Sequence, residues 1–141
     1  MEALTSAAAR ALLLERPRTA KLATVRADGR PHVAPVWFDL DGADLLFTTW
    51  HTTVKATNLR YDPRVSLCVD DEAPPFAFVI VEGLATLSED VAELRRWATR
   101  IAARYMGDEQ AVAYGERNGV AGEILVRVSP TKIIGQASIA A

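Results

Sequence analysis

Between Phe47 and Lys55 the chain reads "FTTWHTTVK", four threonines and a lysine within nine residues. Hydroxyls and an ammonium group are donors suited to a phosphate, and a helix N-terminus adds unpaired backbone N–H groups and a favourable dipole. Thr48 and Thr49 close a run of strand character, Thr52 or Thr53 can cap a following helix, and Lys55 falls in that helix's first turn. A cation is mildly unfavourable at the positive end of a helix, so its presence there asks for an anion. The chain holds sixteen Lys and Arg residues together, yet only Lys21, Lys55 and Lys132 are lysines. The competing reading is a capped helix with a solvated Lys55, and spacing alone weighs the two equally.

A second candidate segment is "GRPHVAPVWFDL". Pro35 cannot donate to a strand ladder, so its strand lies at an edge, is bulged, or faces something else. A flat ligand against Pro35, Val36 and Trp37 is one such neighbour; an edge strand with nothing bound is the other. His32 reads first as a hydrogen-bonded barrel residue, since no carboxylate or nucleophile stands beside it in sequence. Trp50 and His51 precede the Lys55 helix, where they can wall a substrate pocket or meet a partner subunit. Cys68, the single cysteine, forms no zinc-like spacing with the two histidines, so no metal site is expected. No triad or carboxylate pair is present, and no catalytic residue is assigned.

The elements that must position these groups follow from the periodicity. Thr5 or Ser6 caps an amphipathic helix that ends before Pro17. "TAKLATVRADGRPHVAPVWFDLDGADLLFTTW" then alternates in three runs separated by Asp28-Gly29 and Asp41-Gly42, which predicts an antiparallel meander. A short helix over 53–61 stops at Asp62-Pro63, and "RVSLCVDD" resumes as a strand before Pro74-Pro75. "FAFVIVEGLATL" is a long strand with Gly83 as a bulge and with apolar residues on both faces, so that Val79 or Val81 is expected to face a partner. A helix from Ser88 carries Glu89 and Asp90 in its first turn and an apolar side of Val91, Leu94, Trp97 or Ala98, Ile101 and Tyr105, closing at Gly107. A second short helix covers about 108–116, and "GEILVRVSPTKIIG" is the last strand.

Residues 1–141 thus form one domain of the α+β class, built on a small antiparallel barrel with flanking helices. Half the residues are apolar, and the net charge of −2 offers no basic field for nucleic acid. No run approaches the roughly 20 apolar residues that span a bilayer, and the N-terminal helix, broken by Arg10, is no signal peptide. A lone cysteine suits a reducing cytoplasm. No GxGxxG or P-loop is present.

The stretch from "LATVRADGRPHVAPVW" through "TTWHTTVKATNLRYDPRV" to "FVIVEGLATL" resembles the split-barrel family of pyridoxamine 5'-phosphate oxidase-like flavoproteins. Within it the chain is similar to the actinobacterial branch that uses the deazaflavin coenzyme F420. The resemblance implies a six-stranded split barrel and a homodimer with a cofactor in each of two interface clefts. It implies that Thr48, Thr49, Thr53 and Lys55 hold the cofactor phosphate, with Asn58 close behind. Pro35, Val36 and Trp37 then lie along the tricyclic ring, and His32 of the same strand is counted with them among the cofactor-binding residues. The implied activity is hydride transfer between F420 and a small conjugated or heteroaromatic substrate, the cofactor carrying the redox chemistry. FMN offers a phosphate and a flat ring to the same place and is the alternative cofactor; a non-catalytic carrier is the alternative role. Oxidation of a B6 vitamer is the remotest reading, because the additional basic residues for a substrate phosphate are not matched.

Overall fold

A computed structural model describes residues 1–141. In chain order the elements are β1 (Glu2–Ala3), α1 (Ser6–Glu15), β2 (Ala20–Val25), β3 (Pro31–Val36), β4 (Asp39–Asp41), β5 (Asp44–Trp50), α2 (Val54–Tyr61), β6 (Arg64–Asp71), β7 (Ala77–Ser88), α3 (Val91–Met106), α4 (Asp108–Asn118) and β8 (Glu123–Ala137). All strands join one antiparallel sheet in the order β3-β2-β6-β7-β8-β5-β4, with β1 pairing the end of β8. The α+β split barrel is as expected, but it has eight strands rather than six. The two additions are β1 and β4, of two and three residues, too short to carry a periodic signal.

The expected meander is not formed. Asp28-Gly29 and Asp41-Gly42 do turn hairpins, with φ of 89° at Gly29 and 60° at Gly42, a region open to glycine at no steric cost. The hairpins β2–β3 and β4–β5, however, lie at opposite ends of the ladder. Only Trp37 and Phe38 connect β3 to β4, so a covalent link crosses the seam that hydrogen bonds leave open. The backbone there is satisfied from α3 instead: Phe38 N donates to the Tyr105 hydroxyl at 3.2 Å, and the Arg104 guanidinium donates to Phe38 O. Pro35, opposite Lys21, removes a donor from the same free edge, as its edge position requires.

The barrel interior is a cluster that includes Leu22, Phe38, Leu45, Phe47, Leu67, Val79 and Val126. A second cluster, Leu46, Leu94, Trp97 and Leu125, fastens α3 to the outer side of β5 and β8. Each large side chain buried in this way contributes about 1.5–3 kcal/mol. Gly83 lies at the expected bulge, where the β7–β8 register slips between Glu82 and Gly83, and a Cβ there would come within 2.5 Å of Ser129 O.

Three expectations are corrected. β7 buries one face only: Val79 and Val81 point into the core at 0% and 3% exposure, whereas Phe78 and Ile80 are half-buried on the outer face. Neither valine is placed to meet a partner. β7 also runs on through Ser88, so α3 begins at Val91 with Asp90 as its N-cap, accepting from Glu93 N at 3.1 Å. Val91, expected on the apolar side, is exposed.

Candidate functional site

Thr53 is the N-cap of α2, its hydroxyl accepting from Ala56 N at 3.3 Å and donating to Trp50 O at 3.0 Å. That donation uses the only proton Thr53 Oγ1 has, so in the 2.8 Å contact between the two hydroxyls Thr49 is the donor. Thr49 is buried and Thr53 half-buried. Two of the four expected phosphate ligands thus shape the turn. Thr48 and Lys55 face a cleft.

The cleft, about 290 Å³, lies at the seam of the barrel. Pro35, Val36 and Trp37 form one wall, Thr48 and Lys55 line it from β5 and the first turn of α2, and Ala98, Ile101 and Ala102 of α3 face it. Tyr114 and Asn118 of α4 complete the lining. Its lining is therefore mixed, apolar side chains together with polar groups from Thr48, Lys55 and Asn118.

Lys55 is half-buried, and no carboxylate lies within ion-pairing distance of its ammonium. Burial lowers its pKa, opposed by the field of Glu123. Glu123 stands opposite Trp50 in the β5–β8 ladder. Burial pushes its carboxyl up, opposed by Lys55 and Arg117. A partly desolvated ammonium without an ion-pair partner is chemically suited to an anion. The first amides of α2 likewise have no intrahelical acceptor.

The remaining expected residues lie elsewhere. Asn58, 4% exposed, donates to the buried Thr24 hydroxyl at 3.0 Å and so ties α2 to β2. His32 pairs with Thr24 across the β2–β3 hairpin, away from the cleft lining, with its Nδ1 buried and without a partner. Trp50 covers Gly122, where any Cβ would overlap the indole, and His51 Nδ1 donates to Gly122 O at 3.0 Å. Both residues dock on the turn before β8 instead of lining the slot.

Sequence reasoning missed Tyr114 and Asn118, along with the α3 wall. The available signal was "GERNG", two glycines one helical turn apart at 115 and 119, which marks a close helix contact. Trp37 is framed by aromatic rings, stacked on Tyr105 at 5.0 Å and tilted against Tyr114 at 6.2 Å.

An antiparallel barrel split at one seam, with a slot there that sets a cation without an ion-pair partner among apolar side chains, is the fold of the split-barrel class. The family described as pyridoxamine 5'-phosphate oxidase matches residues 5–136. The chain belongs to that family. Among solved structures it is similar to the conserved hypothetical protein Rv2991 from Mycobacterium tuberculosis, with 28% identity and a TM-score of 0.83 over 96% of this chain and 87% of that one. It is also similar to an F420 reductase, with 31% identity and a TM-score of 0.73 over 87% of this chain and 94% of that one. A FAD-binding protein from Mesorhizobium loti shares the fold at 19% identity, with a TM-score of 0.68 over 95% of this chain and 93% of that one. No helix of the chain is long and apolar enough to cross a membrane.

Proposed function

We propose that this chain is the subunit of an F420-dependent oxidoreductase that passes a hydride between deazaflavin coenzyme F420 and a small conjugated or heteroaromatic substrate in the cytoplasm. The observation that carries the reading is Lys55, half-buried and without an ion-pair partner, in a slot that joins apolar side chains to polar ones. The 31% identity to an F420 reductase over most of both chains favours F420 over FMN.

The bound deazaflavin supplies the hydride chemistry, and the chain binds and orients it. Lys55 and the Thr48 hydroxyl fit a phosphate. Pro35, Val36 and Trp37 present a flat apolar surface to a ring, and α3 opposes it. Shielding this space from water and holding the reactants close does much of the catalytic work.

A slot of about 290 Å³ is at the small end of the roughly 300–1,000 Å³ typical of pockets that bury a drug-sized ligand. A second copy of the chain would complete it. Pro35 lines the slot and also begins an outer-face row that runs Pro35, Lys21, Cys68, Ile80, Ile134 across β3, β2, β6, β7 and β8. A homodimer built on this row brings a second chain to the mouth of the slot.

Parallel calorimetric titration with oxidised F420 and FMN tests the proposal, followed by a screen of heteroaromatic substrates against the reduced coenzyme. F420 is expected to bind more tightly. FMN binding tenfold more tightly would make the protein an FMN enzyme, and F420 binding without turnover of any substrate would make it a carrier.

A further inference from the structure

We propose that α4 selects the ligand of the slot: Asn118 reads the polar edge of a planar heteroaromatic ring beneath Tyr114, and the height of both residues is fixed by two glycine contacts with α3. The inference rests on the cofactor reading above and adds which ring chemistry the slot accepts. The class of ligand is a planar heteroaromatic with a hydrogen-bond donor and acceptor side by side, joined to an anionic group that reaches Lys55.

α4 gives the slot two side chains, Tyr114 and Asn118, one helical turn apart and therefore on the same side of the helix. Gly115 and Gly119 follow them directly in sequence and meet α3 with no room to spare. A Cβ on Gly115 would overlap Thr99 Oγ1 and lie 3.2 Å from Arg95 O, and one on Gly119 would lie 2.6 Å from Arg95 Cβ. Any side chain at either position lifts α4 away from α3, and Tyr114 and Asn118 move with it.

The Asn118 amide makes no hydrogen bond within the chain, although it lines the slot and is half-buried. It offers an acceptor oxygen and an NH₂ donor side by side, the complement of a ring edge on which acceptor and donor alternate. Tyr114 is not stacked on Trp37, whose parallel neighbour is Tyr105. Its ring stands 55° from the indole plane, with the Arg117 guanidinium 5.7 Å from its centroid. Lys55 takes the anion and Asn118 takes the ring, so the two contributions are separable.

The test is calorimetry of the intact protein with F420, FMN and inorganic phosphate. Asn118→Leu, which keeps bulk and removes both hydrogen-bonding groups, should weaken F420 about tenfold while leaving phosphate unchanged. Gly115→Ala should do the same by displacing the helix. Adding Thr99→Ala to it removes the hydroxyl, the closest of the atoms the new methyl meets, and leaves Thr99 Cβ at 3.1 Å and Arg95 O at 3.2 Å, so it should recover part of the lost F420 affinity. Wild-type F420 affinity in Asn118→Leu would overturn the inference. So would a folded Gly115→Ala/Thr99→Ala protein that binds F420 no better than Gly115→Ala alone. A wild-type protein that binds phosphate but neither F420 nor FMN would overturn the cofactor reading first, and this inference with it.

Discussion

The indole of Trp37 stacks on the phenol ring of Tyr105, with centroids 5.0 Å apart and planes 5° from parallel. The same tyrosine's hydroxyl donates to Arg18 O at 2.7 Å and accepts from Phe38 N at 3.2 Å. One residue of α3 thus holds the two-residue crossing of the seam and the segment that leads into β2. Tyr105→Phe keeps the stack and leaves Phe38 N without an acceptor. The expected cost is about 1–3 kcal/mol, read as a lower urea midpoint at unchanged slope. Tyr105→Leu should lose a further ~0.5–1.5 kcal/mol with the ring pair. A Tyr105→Phe midpoint equal to wild type would show that the seam is held without the hydroxyl.

Lys55 and Thr53 separate affinity from stability. Lys55→Ala removes a charge-assisted hydrogen bond to phosphate worth roughly 1.5–3 kcal/mol, a ten- to hundredfold loss of F420 and FMN affinity, at an unaltered melting temperature. Thr53→Ala removes the α2 cap and should cost about 1 kcal/mol of stability. Calorimetry and thermal denaturation of both variants check the pair, and equal cofactor affinity in Lys55→Ala and wild type would remove the phosphate assignment.

Glu123 makes anion binding depend on pH. Its pKa is raised, so over the range just above the ordinary glutamate value it is still partly neutral; as pH climbs through the raised value it gains a negative charge in the field of Lys55. Anion affinity should fall there, and fall again as pH passes the lowered pKa of Lys55. Arg117 also faces Glu123, and His51 bonds to the neighbouring Gly122 carbonyl. Both are present in wild type and in Glu123→Gln, so the ratio of their affinities at each pH isolates the carboxylate. Glu123→Gln should bind FMN about two- to fivefold more tightly at neutral pH and lose only the lower of the two steps. A constant ratio from pH 4 to 8 would sink this.

Ile80 and Val79 are neighbours with opposite roles. Val79 is fully buried in the barrel, so Val79→Glu should unfold the chain by placing an unpaired charge in the core. Ile80 lies on the outer face between Cys68 and Ile134. Ile80→Glu should stay folded, sediment as a monomer at micromolar concentration and lose cofactor affinity with Lys55 intact. A wild-type monomer that binds cofactor at full strength would show that one chain builds the site alone.

What the sequence revealed was local. Asp28-Gly29, Asp41-Gly42, the Thr53 cap, the Gly83 bulge and the edge position of Pro35 each follow from the conformational limits of one or two residues. The slot residues Pro35, Val36, Trp37, Thr48 and Lys55 were legible through the family resemblance. Long-range choices were not. Nothing in "WFDLDG" announces that Phe38 bonds to Tyr105 instead of extending a strand. The Thr49–Thr53 contact and the bond from Thr53 to Trp50 O, which turn these hydroxyls into the α2 turn, carry no sequence signal. Asn58 came to the site through the family resemblance, and its side chain bonds the buried Thr24 hydroxyl. Tyr114 and Asn118 reach the slot only through the docking of one helix on another.

The pairing of Thr48 with Leu125 has a consequence for synthesis. β5 leaves the ribosome long before β8, and until β8 arrives its central residues lack one ladder partner and Leu46 lacks the Leu125 side of its cluster. Contacts between segments so distant in the chain form late, because the intervening loop must be closed before they are made. In the nascent chain β5, which carries Thr48 into the slot, therefore has no β8 ladder to hold it, and the slot takes its final shape only once the last strand is translated.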